Sequence, residues 1–256
     1  MTSERAHHSC ADKTMKRDFF GTIPKDSCCP EANEDKFAFS DDGKRFALSD
    51  GASESFDSKR WAELLVRKFV DDPAFQPDWI EAALTEYSNA YDFPSMSWSK
   101  QAAYELGSFA TLVGVEYFEE HNAVEVLAIG DSIALLLDGE RLVCGWPFQQ
   151  VERFKERPTL LATIAGHNEF IGFNGFWTEH GTTFSLGKLS SPNLLCLTDA
   201  IGEWALRQAL DGGQGISELL SIRSDEQLSE LVLRERAGKR MRIDDSTLIV
   251  LSFDRE

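Results

Sequence analysis

The sequence predicts an α+β protein in which antiparallel sheets carry helices on their outer faces. Hairpin signals outnumber strand–helix–strand units along the chain, which favours antiparallel pairing over a doubly wound parallel sheet. Hydrophobic residues make up 42% of the 256 positions and include 18 Phe, enough for a sizeable core. No internal repeat and no linker-like change of composition divides the chain, so residues 1–256 read as one domain, with residues 1–30 as a polar N-terminal extension.

The elements follow in order. A short strand is expected near Phe19-Phe20. Lys36 to Phe39 and Arg45 to Leu48 flank Asp42-Gly43, a dipeptide that favours a two-residue hairpin turn. Trp61, Leu64, Leu65 and Phe69 fall at helical spacing, with Pro73 beyond the end. A second helix starts near Asp78 and runs through Trp79, Ala83 and Tyr87; Pro94 interrupts it and Ser97 to Glu105 resumes it. Phe109 to Phe118 and Val124 to Ile129 flank a turn at Glu120-His121-Asn122, and Ile133 to Leu137 and Arg141 to Cys144 flank Asp138-Gly139. Thr159 to Ala165 reads as a strand, residues 166–190 as a long loop or flap, and Asn193 to Leu197 as a short strand. Helices over Ile201–Leu210 and Leu228–Arg236 precede a closing strand, Thr247 to Phe253.

Composition excludes several functions. A net charge of −17 argues against nucleic acid or an anionic membrane as the main partner. No apolar run approaches the ~18 residues of a membrane-spanning helix, and the polar stretch Met1 to Lys16 has no signal-peptide core. The five cysteines (Cys10, Cys28, Cys29, Cys144, Cys196) have neither disulfide nor zinc spacing, so the chain reads as reduced and cytoplasmic.

The chemistry gathers at strand ends. Pairing outward from Asp42-Gly43 sets Phe39 opposite Phe46, Asp35 opposite Asp50 and Glu34 opposite Gly51. Two carboxylates opposed at ~5 Å repel by roughly 3 kcal/mol at an effective dielectric of ~20, so this hairpin calls for a counter-charge. Asp131, Asp199 and the pair Asp244-Asp245 likewise begin or end apolar strand patterns. An all-oxygen set with no His or Cys suits a hard cation, Mg²⁺ or Mn²⁺, rather than zinc.

The segments Asn33-Glu34-Asp35, Leu48-Ser-Asp-Gly51, Gly107-Ser-Phe-Ala-Thr111, Ile129-Gly-Asp-Ser132, Leu197-Thr-Asp199 and Asp244-Asp-Ser-Thr-Leu248, in this order, resemble the metal-dependent protein phosphatases of the type 2C (PPM) family, closest to compact bacterial members. The resemblance implies a β-sandwich of two antiparallel sheets in α-β-β-α layers with two cations at one end. It implies that Asp50 bridges both ions, that Glu34 and the Gly51 carbonyl serve one, and that Asp199 and Asp244 serve the other. Asp131 and Asp35 would act through water or at a third, weaker ion. The implied reaction is hydrolysis of phosphoserine or phosphothreonine on a protein, opposing a serine/threonine kinase, by a metal-activated water in line with the phosphorus.

The chain departs from the family at four places. Pro30 stands where many members carry a phosphate-gripping Arg, and Ala52 where many eukaryotic members carry His. Ala200 and Asp245 replace the usual Gly and Asn of the last two metal motifs. Lys59 or Arg60 could supply the missing cation, against the plainer reading of a solvated helix start. A non-catalytic phosphoprotein-binding member of the same fold is the main alternative. A serine esterase using Ser132 is disfavoured because no Asp-x-x-His pair follows.

Overall fold

The computed structural model describes residues 15–253; the polar N-terminus with Cys10 lies outside them. Its strands and helices, in chain order, are β1 (Met15–Ile23), β2 (Lys36–Phe39), β3 (Arg45–Ser49), α1 (Ser58–Asp71), α2 (Pro77–Ser88), α3 (Trp98–Leu106), β4 (Phe109–Ala110), β5 (Leu112–Phe118), β6 (Ala123–Ile129), β7 (Ile133–Asp138), β8 (Arg141–Trp146), β9 (Leu161–Ala162), α4 (Phe176–His180), β10 (Gly181–Ser185), β11 (Pro192–Leu197), α5 (Asp199–Asp211), α6 (Gly215–Ser221), α7 (Asp225–Ala237) and β12 (Ser246–Phe253). Two five-stranded antiparallel sheets form, ordered β1-β12-β11-β7-β8 and β10-β6-β5-β3-β2, with β4 and β9 as a separate pair.

Successive strand residues point to opposite faces, and here both faces are covered. In β12, Ile249 and Leu251 enter the layer between the sheets while Leu248 and Val250 meet the helices outside. In β11, Leu194 and Cys196 face inward while Leu195 and Leu197 face α5 and α7. This two-sided burial explains why these strands read as continuous apolar runs rather than alternating ones. On the other sheet, Ala47, Leu112, Leu127 and Ile129 pack against Trp61, Leu65 and Phe69 of α1. The layers are therefore helix, sheet, sheet, helix.

The helices end where local chemistry ends them. Asp57 caps α1 by accepting from the Arg60 backbone N–H, and Ser97 and Ser224 cap α3 and α7 in the same way. Gly212, in the left-handed region at φ +69°, stops α5.

Several expectations need correction. The first hairpin keeps the anticipated register, Phe39 opposite Phe46 and Lys36 opposite Ser49, but closes through residues 41–44 instead of a two-residue turn. Ser40 causes this, since its carbonyl takes the Gly43 N–H and its hydroxyl takes the Arg45 N–H. The strand near Phe19-Phe20 spans nine residues, because it pairs along the whole of β12. The strand expected over Thr159–Ala165 shrinks to Leu161–Ala162, whose open side is taken by the Asn168 side-chain amide. The presumed loop of residues 166–190 contains α4 and the edge strand β10, and α6 was not anticipated.

Candidate metal centre at one end of the sandwich

The pairing places every acidic strand end on the same side. Ile133, Leu197 and Leu248 are neighbours across one sheet, and Leu48, Val113, Leu112 and Ile129 are neighbours across the other. Asp35 and Asp50 therefore leave one sheet beside Asp199 and Asp244 of the other, with Asp131 on the link from β6 to β7.

The Asp50 turn is held by its neighbours on β4 and β5. Thr111 donates its N–H to the Asp50 carbonyl at 2.9 Å and accepts the Asp50 N–H on Oγ1 at 2.9 Å. Its hydroxyl also pairs with Ser132 at 2.7 Å, tying the Asp131 link to the same point. Gly51 bridges to Ala110, and Ala52 donates to the Phe109 carbonyl. A Cβ at Gly51 would lie 2.9 Å from Ser58 Cβ, so only glycine lets α1 start this close. These bonds also split the strand expected over Phe109–Phe118, because Thr111 serves Asp50 instead of a strand neighbour.

Asp35 turns away from the hairpin and into the other sheet. Its Oδ2 accepts from Thr247 Oγ1 at 2.6 Å and from Thr198 Oγ1 at 3.0 Å, while Oδ1 is buried with no partner among the described residues. Asn33 accepts its N–H at 2.9 Å and sets this turn. Burial pushes the Asp35 carboxyl up to about 7, against the two threonine hydrogen bonds.

The other acids feel one another. Desolvation, then the charges of Asp35, Asp199, Asp131 and Asp244, pushes Asp50 well above the carboxylate range. Asp131 rises to about 6, from burial first and Asp199 second. Asp199 rises by burial although Arg242 holds its Oδ2 at 2.9 Å, and its Oδ1 is buried and unpartnered among the described residues. Glu34 behaves oppositely. Burial works upward on it, but Lys25 at 2.8 Å together with Ser53 and Ser58 outweighs burial and holds it low.

The donor chemistry suits a divalent cation. Two buried carboxylate oxygens lack partners among the described residues, and the convergent acids are destabilised by each other's charge. The spacing is not closed, since among the described residues no three acidic, His or Cys side chains are drawn into a ready-made metal cluster. Lys25 pairs with Glu34 at 2.8 Å and Arg242 with Asp199 at 2.9 Å.

The structure brings together Asp35, Asp50, Asp131, Asp199 and Asp244, with Glu34 and Gly51 adjoining. Lys59 and Arg60 point elsewhere: the Lys59 ammonium bonds the Glu31 carbonyl, and the Arg60 guanidinium lies 5.6 Å from the Tyr91 ring centre. Sequence reasoning gave no role to Lys25, Ser58, Thr198, Thr247 or Arg242. The two threonines were legible in part, because each lies within two residues of an acid inside a motif quoted above. A cleft of about 790 Å³ opens beside Ala52, walled by Phe56, Leu106, Phe109, Arg157 and His167.

No family model matches the chain, and no curated protein matches it in sequence. Solved structures do match. The chain is similar to the serine/threonine phosphatase Stp1 from Staphylococcus aureus, at a TM-score of 0.59 and 13% identity over 100% of both chains. It is similar to the catalytic domain of the serine/threonine protein phosphatase PstP in complex with two manganese ions, at a TM-score of 0.56 and 15% identity, covering 95% of this chain and 100% of that one. A bacterial serine phosphatase matches at a TM-score of 0.57 and 14% identity, covering 95% and 99%. The fold of this chain is that of the metal-dependent (type 2C, PPM) protein phosphatases.

Proposed function

We propose that the protein is a metal-dependent phosphatase acting on phosphoserine or phosphothreonine in proteins. The observation that carries this is the convergence of five aspartates from both sheets at one sandwich end, with Asp35 Oδ1 and Asp199 Oδ1 buried and unmet among the described residues. Divalent cations, Mg²⁺ or Mn²⁺, would supply the acidified water and the neutralising charge that phosphomonoester hydrolysis needs. Asp50 would be shared between two ions, Glu34 and the Gly51 carbonyl would hold one, and Asp199 and Asp244 the other. Asp131 and Asp35 would orient water around them or hold a third ion, with Thr198 and Thr247 fixing the Asp35 carboxylate. In a chain of net charge −17, such cations would also reverse the local sign that a phosphate meets.

One observation favours a second reading. Lys25 on Glu34 and Arg242 on Asp199 already give two of the acids a cation from the chain itself, as a phosphoprotein-binding member without turnover would. Hydrolysis of an aryl phosphate with and without Mn²⁺, beside calorimetric Mn²⁺ titration, separates the two. Activity that requires the ion and disappears in Asp50→Asn and Asp199→Asn supports the enzyme. Measured metal binding with no turnover of aryl phosphate or phosphopeptide would sink it.

A further inference from the structure

The chain carries 26 Lys and Arg in total, yet five of them fall within the nine residues Arg234 to Arg242, against the single acid Glu235. The fold places this run beside α5, where a groove of about 330 Å³ is lined by Arg207, Arg236, Lys239, Arg240 and Arg242, with Glu203 as its one acidic lining residue. The groove adjoins the acid centre, since Arg242 bonds Asp199 and stands two positions before Asp244.

Four of these cations are fixed in place. Arg207 bonds Glu203 at 2.6 Å, and Arg242 bonds Glu203 at 3.1 Å as well as Asp199. Arg240 grips the buried Glu235 at 2.7 and 3.0 Å, and Arg236 reaches the Pro24 carbonyl at 2.9 Å and Ser246 Oγ at 3.0 Å. Lys239 differs. It is exposed, held out at φ +56°, and has no side-chain partner among the described residues. Trp204 and Met241 are buried beneath the groove, while Ile243 is 73% exposed at its rim. A basic face prearranged by its own carboxylates, with an apolar rim, costs little ordering when an anion arrives.

We propose that this groove docks an acidic peptide segment of the phosphoprotein partner and so leads the neighbouring phosphoresidue to the acid centre; the proposal rests on the phosphatase-fold reading above. Charge complementarity selects the occupant. The rest of this acidic protein repels an extended polyanion such as nucleic acid, whereas a short Asp/Glu-rich segment needs only the groove. The exposed Ile243 suits an apolar residue within that segment.

Fluorescence anisotropy with a labelled, unphosphorylated Asp/Glu-rich peptide containing one Leu tests this without metal or turnover. The expected result is binding that weakens with added salt, falls at least about fivefold in Lys239→Glu, and falls further in Lys239→Glu with Arg207→Glu. Lys239→Gln, with unchanged circular dichroism, guards against a folding defect and should give an intermediate loss. No binding by the unaltered protein, affinity unmoved by the substitutions, or equal binding of a single-stranded oligonucleotide overturns the proposal. A protein that hydrolyses aryl phosphate but ignores the acidic peptide overturns the docking groove alone. A protein that binds the peptide by this pattern but has no turnover leaves the groove standing and removes the enzyme reading.

Discussion

The Asp245 carboxylate accepts the backbone N–H of Glu34 at 2.9 Å, across 211 positions of chain. Its other oxygen accepts the Lys25 N–H at 2.7 Å. One buried side chain at the start of β12 therefore fixes both ends of the 25–34 loop, and with them the Lys25 ammonium that meets Glu34. At this position the resemblance expects Asn, whose amide places a donor NH₂ where one of the two carboxylate oxygens here accepts an N–H.

Asp245→Ala should destabilise the fold by about 3 kcal/mol, since two charge-assisted hydrogen bonds vanish and two backbone donors lose their partner. Asp245→Asn should cost roughly half as much. Urea unfolding of both variants measures this, and equal losses would contradict the two-acceptor role.

The raised carboxyls of Asp35 (about 7) and Asp131 (about 6) make the metal-free protein pH-sensitive. Both groups hold protons more tightly folded than unfolded, where the value is 3.8. Their contribution is complete below the unfolded value and is lost as pH rises through about 6 and 7. The metal-free protein should thus melt at higher temperature at pH 5 than at pH 8. Added Mn²⁺ should raise the melting temperature more at pH 8, where its binding displaces fewer protons. Calorimetry at the two pH values checks both signs.

Glu235 titrates in the other direction. Arg240 first, with Arg234 and Trp204, holds its buried carboxyl down to about 2 despite desolvation. That stability is present above the unfolded value of 4.5 and is lost as pH falls toward about 2. Glu235→Gln should cost about 2 kcal/mol at pH 7, with the difference from the parent closing in acid. A gap that persists unchanged at pH 3 would show that packing, not charge, is responsible.

Gly51→Ala should disturb the acid centre through α1, because the new methyl meets Ser58 at 2.9 Å and Ser58 donates to Glu34. A loss of about 1–3 kcal/mol is expected from overpacking, with weakened Mn²⁺ affinity. Calorimetric titration reads the second effect. Unaltered affinity would mean that α1 gives way without moving Glu34.

Much of this was legible in the sequence because the determinants are local. The register of the first hairpin follows from its apolar alternation, and Trp61, Trp79 and Trp204 at helical spacing are all core residues. The acids stood out because each stands where an apolar strand pattern begins or ends. What stayed hidden depends on tertiary neighbours. Asp35 gives its carboxylate to Thr198 and Thr247 of the other sheet, a choice that no local pattern encodes. β10 escaped notice because it pairs only with β6 and its sequence, Gly-Thr-Thr-Phe-Ser, is polar at an edge. His180, within the stretch 166–190 that reads as a loop or flap, is half-buried at the end of α4 with its ring against Phe170 and Phe176.

The acids that meet at the sandwich end are divided between the two sheets, with Asp131 on the link that passes from one to the other. A slip of one sheet over the other by a single residue, roughly 3.3 Å, would separate Asp35 from Thr198 and Thr247. On the metal reading proposed above, divalent-ion affinity would therefore gauge the alignment of the two sheets. Substitutions buried deep between the sheets, such as at Leu136 or Ile249, should reach the ion without coming near it.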